Sequence, residues 1–168
     1  MDAIRRILVP TDFSAHADEA FRVACTLARE VGAEVILFHV ARPPAVVSEG
    51  GKLLANPGKA DAANLWDRFH SLQPADPKVR VEHEVIVADR PRGGHILDVL
   101  DKLGCDLIVM GTHGRTGLEH LLFGSVAEEV VRHARCPVMV VKAPPPEPDA
   151  STPEPAQASK GERPRKGQ

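Results

Sequence analysis

The stretch of this chain best suited to chemistry begins at Met110 and reads MGTHGRTGLEHLLFGSVAEE. It leaves an apolar run, passes Gly111, Gly114 and Gly117, and reaches Gly124-Ser125 where a helical pattern starts. Glycine is needed where backbone amides must approach a ligand closely or where φ is positive. A helix start adds unpaired N–H donors and a positive dipole end, which together favour phosphate. Strand, glycine loop and helix start thus make a phosphate-binding arrangement. A second reading stays open. Ser125 and Glu128 match an S-x-x-E capping box that would satisfy the helix start without a ligand, and the glycines would then mark only a tight turn. The loop carries neither the G-x-x-x-x-G-K-S/T nor the G-x-G-x-x-G pattern.

Asp12 is the second candidate. It follows Pro10-Thr11 at the end of the first apolar run, the end at which open parallel sheets hold ligands. If the first and fourth strands are neighbours, Asp12 and the glycine loop face one crevice. Asp12 then accepts bonds from a ribose or adenine edge, or else it only shapes the turn before Ser14. Within the loop, His113 and Arg115 are placed to lend positive charge to phosphates, though Arg115 can equally point into solvent. His39 and His133 read as ordinary surface or partly buried residues, and no Cys/His spacing suggests zinc.

The elements that must position these residues alternate in type. Ile4–Val9, Glu34–Val40, Val79–Val87, Asp106–Met110 and Pro137–Val141 read as strands, the third more alternating and so nearer an edge. Between them lie helical repeats. Ser14 caps the first, with Asp18 and Glu19 in its first turns, and its apolar face is Ala17, Ala20, Ala24, Leu27, Ala28 and Val31 before Gly32. Ile96, Val99, Leu100 and Leu103 repeat at helical spacing up to Gly104, as do Ala127, Val130, Val131 and Ala134. Strand–helix alternation of this kind gives a doubly wound α/β fold with a parallel sheet. Arg42–Lys59 is a proline- and glycine-rich loop, either a lid or contact surface or plain disorder, ahead of a short helix around Ala62–Leu72. The tail from Ala143 holds seven of fifteen prolines and is expected to be disordered, which leaves residues 1–142 as the one domain.

Composition removes several function classes. At 168 residues the chain suits a single domain with a real core. A formal net charge of −2 argues against a DNA-binding face, and 4% aromatics leave few platforms for single-stranded nucleic acid. No apolar run approaches the length of a membrane span or a signal-peptide core, so a cytoplasmic protein is expected. Cys25, Cys105 and Cys136 lie far apart in or beside apolar runs and read as buried thiols in a reducing compartment.

The spacing Gly111-x2-Gly114-x9-Gly124-Ser125 resembles the ATP-binding signature of the universal stress protein family. The flanks Arg6-Ile7-Leu8-Val9-Pro10-Thr11-Asp12, Asp106-Leu107-Ile108-Val109-Met110-Gly111 and Cys136-Pro137-Val138-Met139-Val140-Val141 are similar too. The likeness spans about Ile4 to Lys142. It implies a five-stranded parallel sheet ordered 3-2-1-4-5 with ATP where strands one and four diverge. By position, Pro10, Thr11 and Asp12 would border the adenosine, and Val40 would offer its backbone to adenine. Met110 and Gly111 would line the ribose, with Gly114, Gly124, Ser125 and Val126 on the phosphates. Mg or Mn would arrive on those phosphates and not in a cage of its own. The resemblance also implies a homodimer through Pro137–Lys142, a sheet edge too apolar to stay exposed.

No loop lysine or recognisable arginine finger is present, so ATP hydrolysis is expected to be slow at most and the chain reads as a binding and signalling module. Its downstream protein partner is not legible. The alternative is an adenine-nucleotide enzyme of a related branch, either adenylyl transfer or ATP pyrophosphatase chemistry. Pro10-Thr11-Asp12-Phe13-Ser14 matches neither the HxGH nor the SGGxDS stretch those branches use.

Overall fold

Ile7, Leu8 and Val9 are fully buried, so the strand that carries them, β1 (Arg6–Pro10), needs cover on both faces. It receives that cover at the centre of the sheet. The computed structural model describes residues 3–41, 59–88, 92–114 and 123–143. After β1 come α1 (Ala15–Val31), β2 (Glu34–Ala41), α2 (Lys59–Ser71), β3 (Val81–Val87), α3 (Gly93–Leu103), β4 (Leu107–Gly111), α4 (Ser125–His133) and β5 (Val138–Val141). The five strands are all parallel in the order β3-β2-β1-β4-β5. That is the order implied by the family resemblance. The loop from Arg42, Arg115, Gly117 and the tail beyond Ala143 lie outside the described residues.

Strand alternation splits the core into two layers. Ile7, Val9, Val35, Leu37, Leu107 and Val109 pack with Phe21, Ala24 and Ala28 of α1 and Phe69 of α2. Leu8, Ile36, Phe38, Val40, Ile108 and Met110 pack with Ile96, Val99 and Leu100 of α3 and Ala127 and Val130 of α4. β3 and β5 are the edges, and Met139 on β5 is 40% exposed.

Helix α1 starts and stops as its sequence dictates. The Ser14 hydroxyl accepts from the Ala17 amide, and Gly32 at φ 71° closes the helix through the Ala28 carbonyl. Its apolar face needs one correction. Phe21 and Cys25 are buried with Ala17, Ala20, Ala24 and Ala28, while Val31 is 46% exposed. A 3.6-residue period carries position 31 off the stripe just before the helix ends. The cysteines need another. Cys25 and Cys105 are buried, and burial pushes their thiols up to about 11 and about 12, but Cys136 is only half-buried.

Helix α3 has no side-chain cap of its own, because its N-cap residue Arg92 supplies none. Glu129 of α4 caps it from a distance. Its two carboxylate oxygens accept from the Gly93 amide at 2.9 Å and the Gly94 amide at 3.1 Å. This one side chain ties α4, and so the end of the glycine loop, to the neighbouring helix. Glu129→Ala should lower stability by about 2 kcal/mol through two unsatisfied, part-buried amides, measured by chemical denaturation. Glu129→Gln, which keeps one acceptor, should lose less.

Candidate functional site

The chain leaves β1 through a turn that holds itself together. The Thr11 amide donates to the Phe38 carbonyl at 2.8 Å. Thr11 Oγ1 accepts from the Phe13 amide at 2.9 Å, and Asp12 Oδ1 accepts from the Ser14 amide at 3.1 Å. Phe13 sits at φ 59°, the one positive φ among described residues other than glycine. Packing holds it there. Its ring lies 4.8 Å from the His39 ring and 5.3 Å from the Phe69 ring, with the Arg68 guanidinium 4.1 Å above it. His39 also donates from Nδ1 to the Thr11 carbonyl at 2.7 Å. Read from sequence as an ordinary histidine, it stands directly behind the turn that carries Asp12.

β4 ends beside that turn because β1 and β4 pair, with Ile7 opposite Leu107. At Gly111 a Cβ would lie 2.8 Å from His16 Cβ and 2.9 Å from the His16 carbonyl carbon. Glycine is what lets the first turn of α1 close onto the end of β4. Three residues on, a Cβ at Gly114 would lie 2.7 Å from Asp12 Oδ2. Asp12 and the glycine loop therefore share one crevice. One Asp12 oxygen serves the turn, and the other faces the backbone at Gly114.

The loop returns to where it left. The Thr112 amide donates to the Val141 carbonyl, and the Gly124 amide donates to the Thr112 carbonyl, both at 2.9 Å. This closure sets the N-terminus of α4 against the end of β4. The capping box read from Ser125 and Glu128 does not form. Gly124 is the N-cap at φ −70° and ψ 157°, Ser125 is already helical, and Glu128 pairs instead with Arg132 at 2.8 Å. The N-cap residue itself, a glycine, has no side chain with which to cap this helix. Its first-turn amides, Ser125 and Val126 among them, have no intrahelical acceptor, as at any helix start.

Pro10, Thr11, Asp12, Met110, Gly111, Gly114, Gly124, Ser125 and Val126 are thus placed around the carboxyl ends of β1 and β4. Val40 ends one strand further over, in β2, opposite Ile86. Nearby, Asp18 in the first turn of α1 has its carboxyl pushed up by burial and then by the Asp12 carboxylate, with Arg22 and Arg68 opposing. No three His, Cys, Asp or Glu side chains among the described residues are grouped to hold a metal. A hollow of about 430 Å³ lies elsewhere, between Arg5, Arg29, Lys78 and Arg80, and none of the candidate site residues lines it.

The chain is similar to known proteins over most of its length. The sequence profile described as the universal stress protein family matches residues 3–142. A universal stress protein of Methanocaldococcus jannaschii is 35% identical over 144 residues, 83% of each chain. Among solved structures, the universal stress protein UspA from Lactobacillus plantarum superposes with a TM-score of 0.63 at 25% identity, covering 84% of this chain and 99% of that one. A universal stress protein solved in complex with cAMP has the same fold, with a TM-score of 0.59 at 22% identity over 85% of this chain and all of the other.

Proposed function

The chain belongs to the universal stress protein family, and on that premise we propose that it binds ATP in the crevice between β1 and β4 as a nucleotide-dependent stress-response module. One observation carries the reading. A Cβ at Gly114 would lie 2.7 Å from Asp12 Oδ2, beside a helix start whose N-cap residue is Gly124, which has no side chain. The carboxylate suits ribose hydroxyls or an adenine edge. The amides of Gly114, Ser125 and Val126 suit phosphates, with Gly124 held beside them by its bond to Thr112. Pro10, Thr11, Met110 and Gly111 wall the nucleoside, and Val40 offers backbone to adenine. Arg115 joins the phosphates from the part of the loop outside the described residues. The related structure holding cAMP, another adenine nucleotide, supports the ligand class.

A divalent ion, Mg or Mn, comes with the triphosphate. Hydrolysis is slow at most, because the sequence offers no loop lysine and no recognisable arginine finger. Free cysteines support a reducing, cytoplasmic setting, and no described helix is long and apolar enough to cross a membrane. Equilibrium titration with ATP tests the proposal. The unmodified chain should bind, and Asp12→Ala should bind about 30-fold more weakly, the loss of two charge-assisted bonds partly replaced by water. Failure of the unmodified chain to bind, or equal affinity in the variant, would contradict it.

The same premise leads to a homodimer. β5 is an edge strand of four apolar residues with Met139 turned outward. Pairing with its own copy about a two-fold axis covers that edge. Sedimentation at micromolar concentration should give a dimer, and a monomer would count against the pairing.

A further inference from the structure

Two imidazoles meet at the rim of the crevice. His16 stands in the first turn of α1 and His113 in the glycine loop, with ring centroids 5.6 Å apart and planes 65° to each other. Both are half-buried. The contact follows from the close seat of α1 on Gly111, which brings His16 against the loop as it leaves β4. His113 is further oriented by Nδ1, 3.1 Å from Thr112 Oγ1.

We propose that His16 and His113 together contact the phosphate chain of the bound nucleotide, so that polyphosphate affinity rises as pH falls. The inference rests on the ATP reading above and adds to it which side chains hold the phosphates and how they are regulated. Position supports it first. His113 lies between Gly111 and Gly114, and His16 reaches the same place from the opposite helix. Charge supports it second. Two imidazoles this close repel each other when both are protonated, and a polyanion lying against both offsets that cost. Nucleotide binding and proton uptake are then linked, and each favours the other.

Among the described residues, the other charged and titratable groups around the rim do not supply this response. β1 and β4 end in Pro10 and Gly111 and bring no charge, and β5 is followed by Lys142. β2 brings His39, which is bonded to Thr11. From α1 come Asp18 and Glu19, the latter paired with Arg22, while α2 sends Arg68 over Phe13. From α4, Glu128 is held by Arg132, and Glu129 by the amides of α3. Asp12 lies in the crevice itself. Imidazole is the side chain whose charge changes near neutrality.

The test compares ATP, as its magnesium complex, with adenosine at about pH 6 and about pH 8, where imidazole changes charge. ATP should bind the unmodified chain about tenfold more tightly at the lower pH, the scale of one charge-assisted bond gained. Adenosine, which has no phosphate, should be unaffected. His16→Gln and His113→Gln should each flatten the ATP ratio and leave adenosine affinity intact, so adenosine binding also reports that the variants fold. Protonation of the ligand itself is common to all three proteins and cancels. ATP binding with the same pH ratio in all three, or adenosine affinity that moves with ATP, would overturn the inference and leave the ATP reading standing. No binding of either ligand by the unmodified chain would overturn both.

Discussion

Gly124→Asp should make this protein more stable and almost unable to hold a triphosphate. The backbone at 124 is extended, with φ −70° and ψ 157°, which any residue adopts. A Cβ there would meet only the Thr112 carbonyl oxygen at 3.6 Å and His113 Cα at 3.8 Å, both ordinary contacts. The fold therefore tolerates a side chain at this glycine. An aspartate would cap α4, bonding its first-turn amides and facing the positive end of the helix, for a gain of about 1 kcal/mol. Those same amides are the ones proposed to bind phosphate. The new carboxylate would occupy them and repel the ligand, lowering ATP affinity about 100-fold or more, the scale of two charge-assisted bonds lost.

Thermal unfolding and ATP titration on one preparation read both effects, and their opposite signs are the point. Gly124→Ser, a cap without charge, should fall between. If stability and affinity drop together, Gly124 serves the fold. If affinity is unchanged, the phosphates are elsewhere.

Gly111→Ala carries the largest expected loss of stability, about 3 kcal/mol. The added methyl would lie 2.8 Å from His16 Cβ and 2.9 to 3.0 Å from the His16 carbonyl group, so backbone must move to admit it. β4 is pinned by pairing on both sides, and α1 is pinned by a buried face, so neither yields cheaply. Gly32 is the contrasting case. It has a positive φ of 71° but open space around it, and its alanine variant should lose only about 1 kcal/mol. Denaturant midpoints for the two variants should keep that order. Equal losses would mean that α1 does not press on β4 as described.

Much of this fold was legible because its signals are local. The buried run Ile7–Val9, the Ser14 cap and the stops at Gly32 and Gly104 each sit where short-range chemistry puts them. The features that stayed hidden or open depend on partners far away in sequence. The S-x-x-E pattern at Ser125 was a sound capping signal, yet the bond from Gly124 to Thr112 fixes the path into α4 and makes Gly124 the cap. Glu129 caps a helix that begins 36 residues earlier, and nothing local marks it for that task. His39 and His16 gain their places from the pairing of β1 with β2 and from α1 lying on β4. Asp12 and Gly114 meet only once β1 and β4 are neighbours, an adjacency that came from the family resemblance and not from periodicity.

Amide resonances followed during an ATP titration test the central assignment most directly. The expected result is a saturable shift of the Gly114, Gly124, Ser125 and Val126 amides, with Asp12 moving at the same ligand concentration. ATP that binds while these amides stay still, or that instead moves Arg5, Arg29, Lys78 and Arg80 around the other hollow, would contradict it.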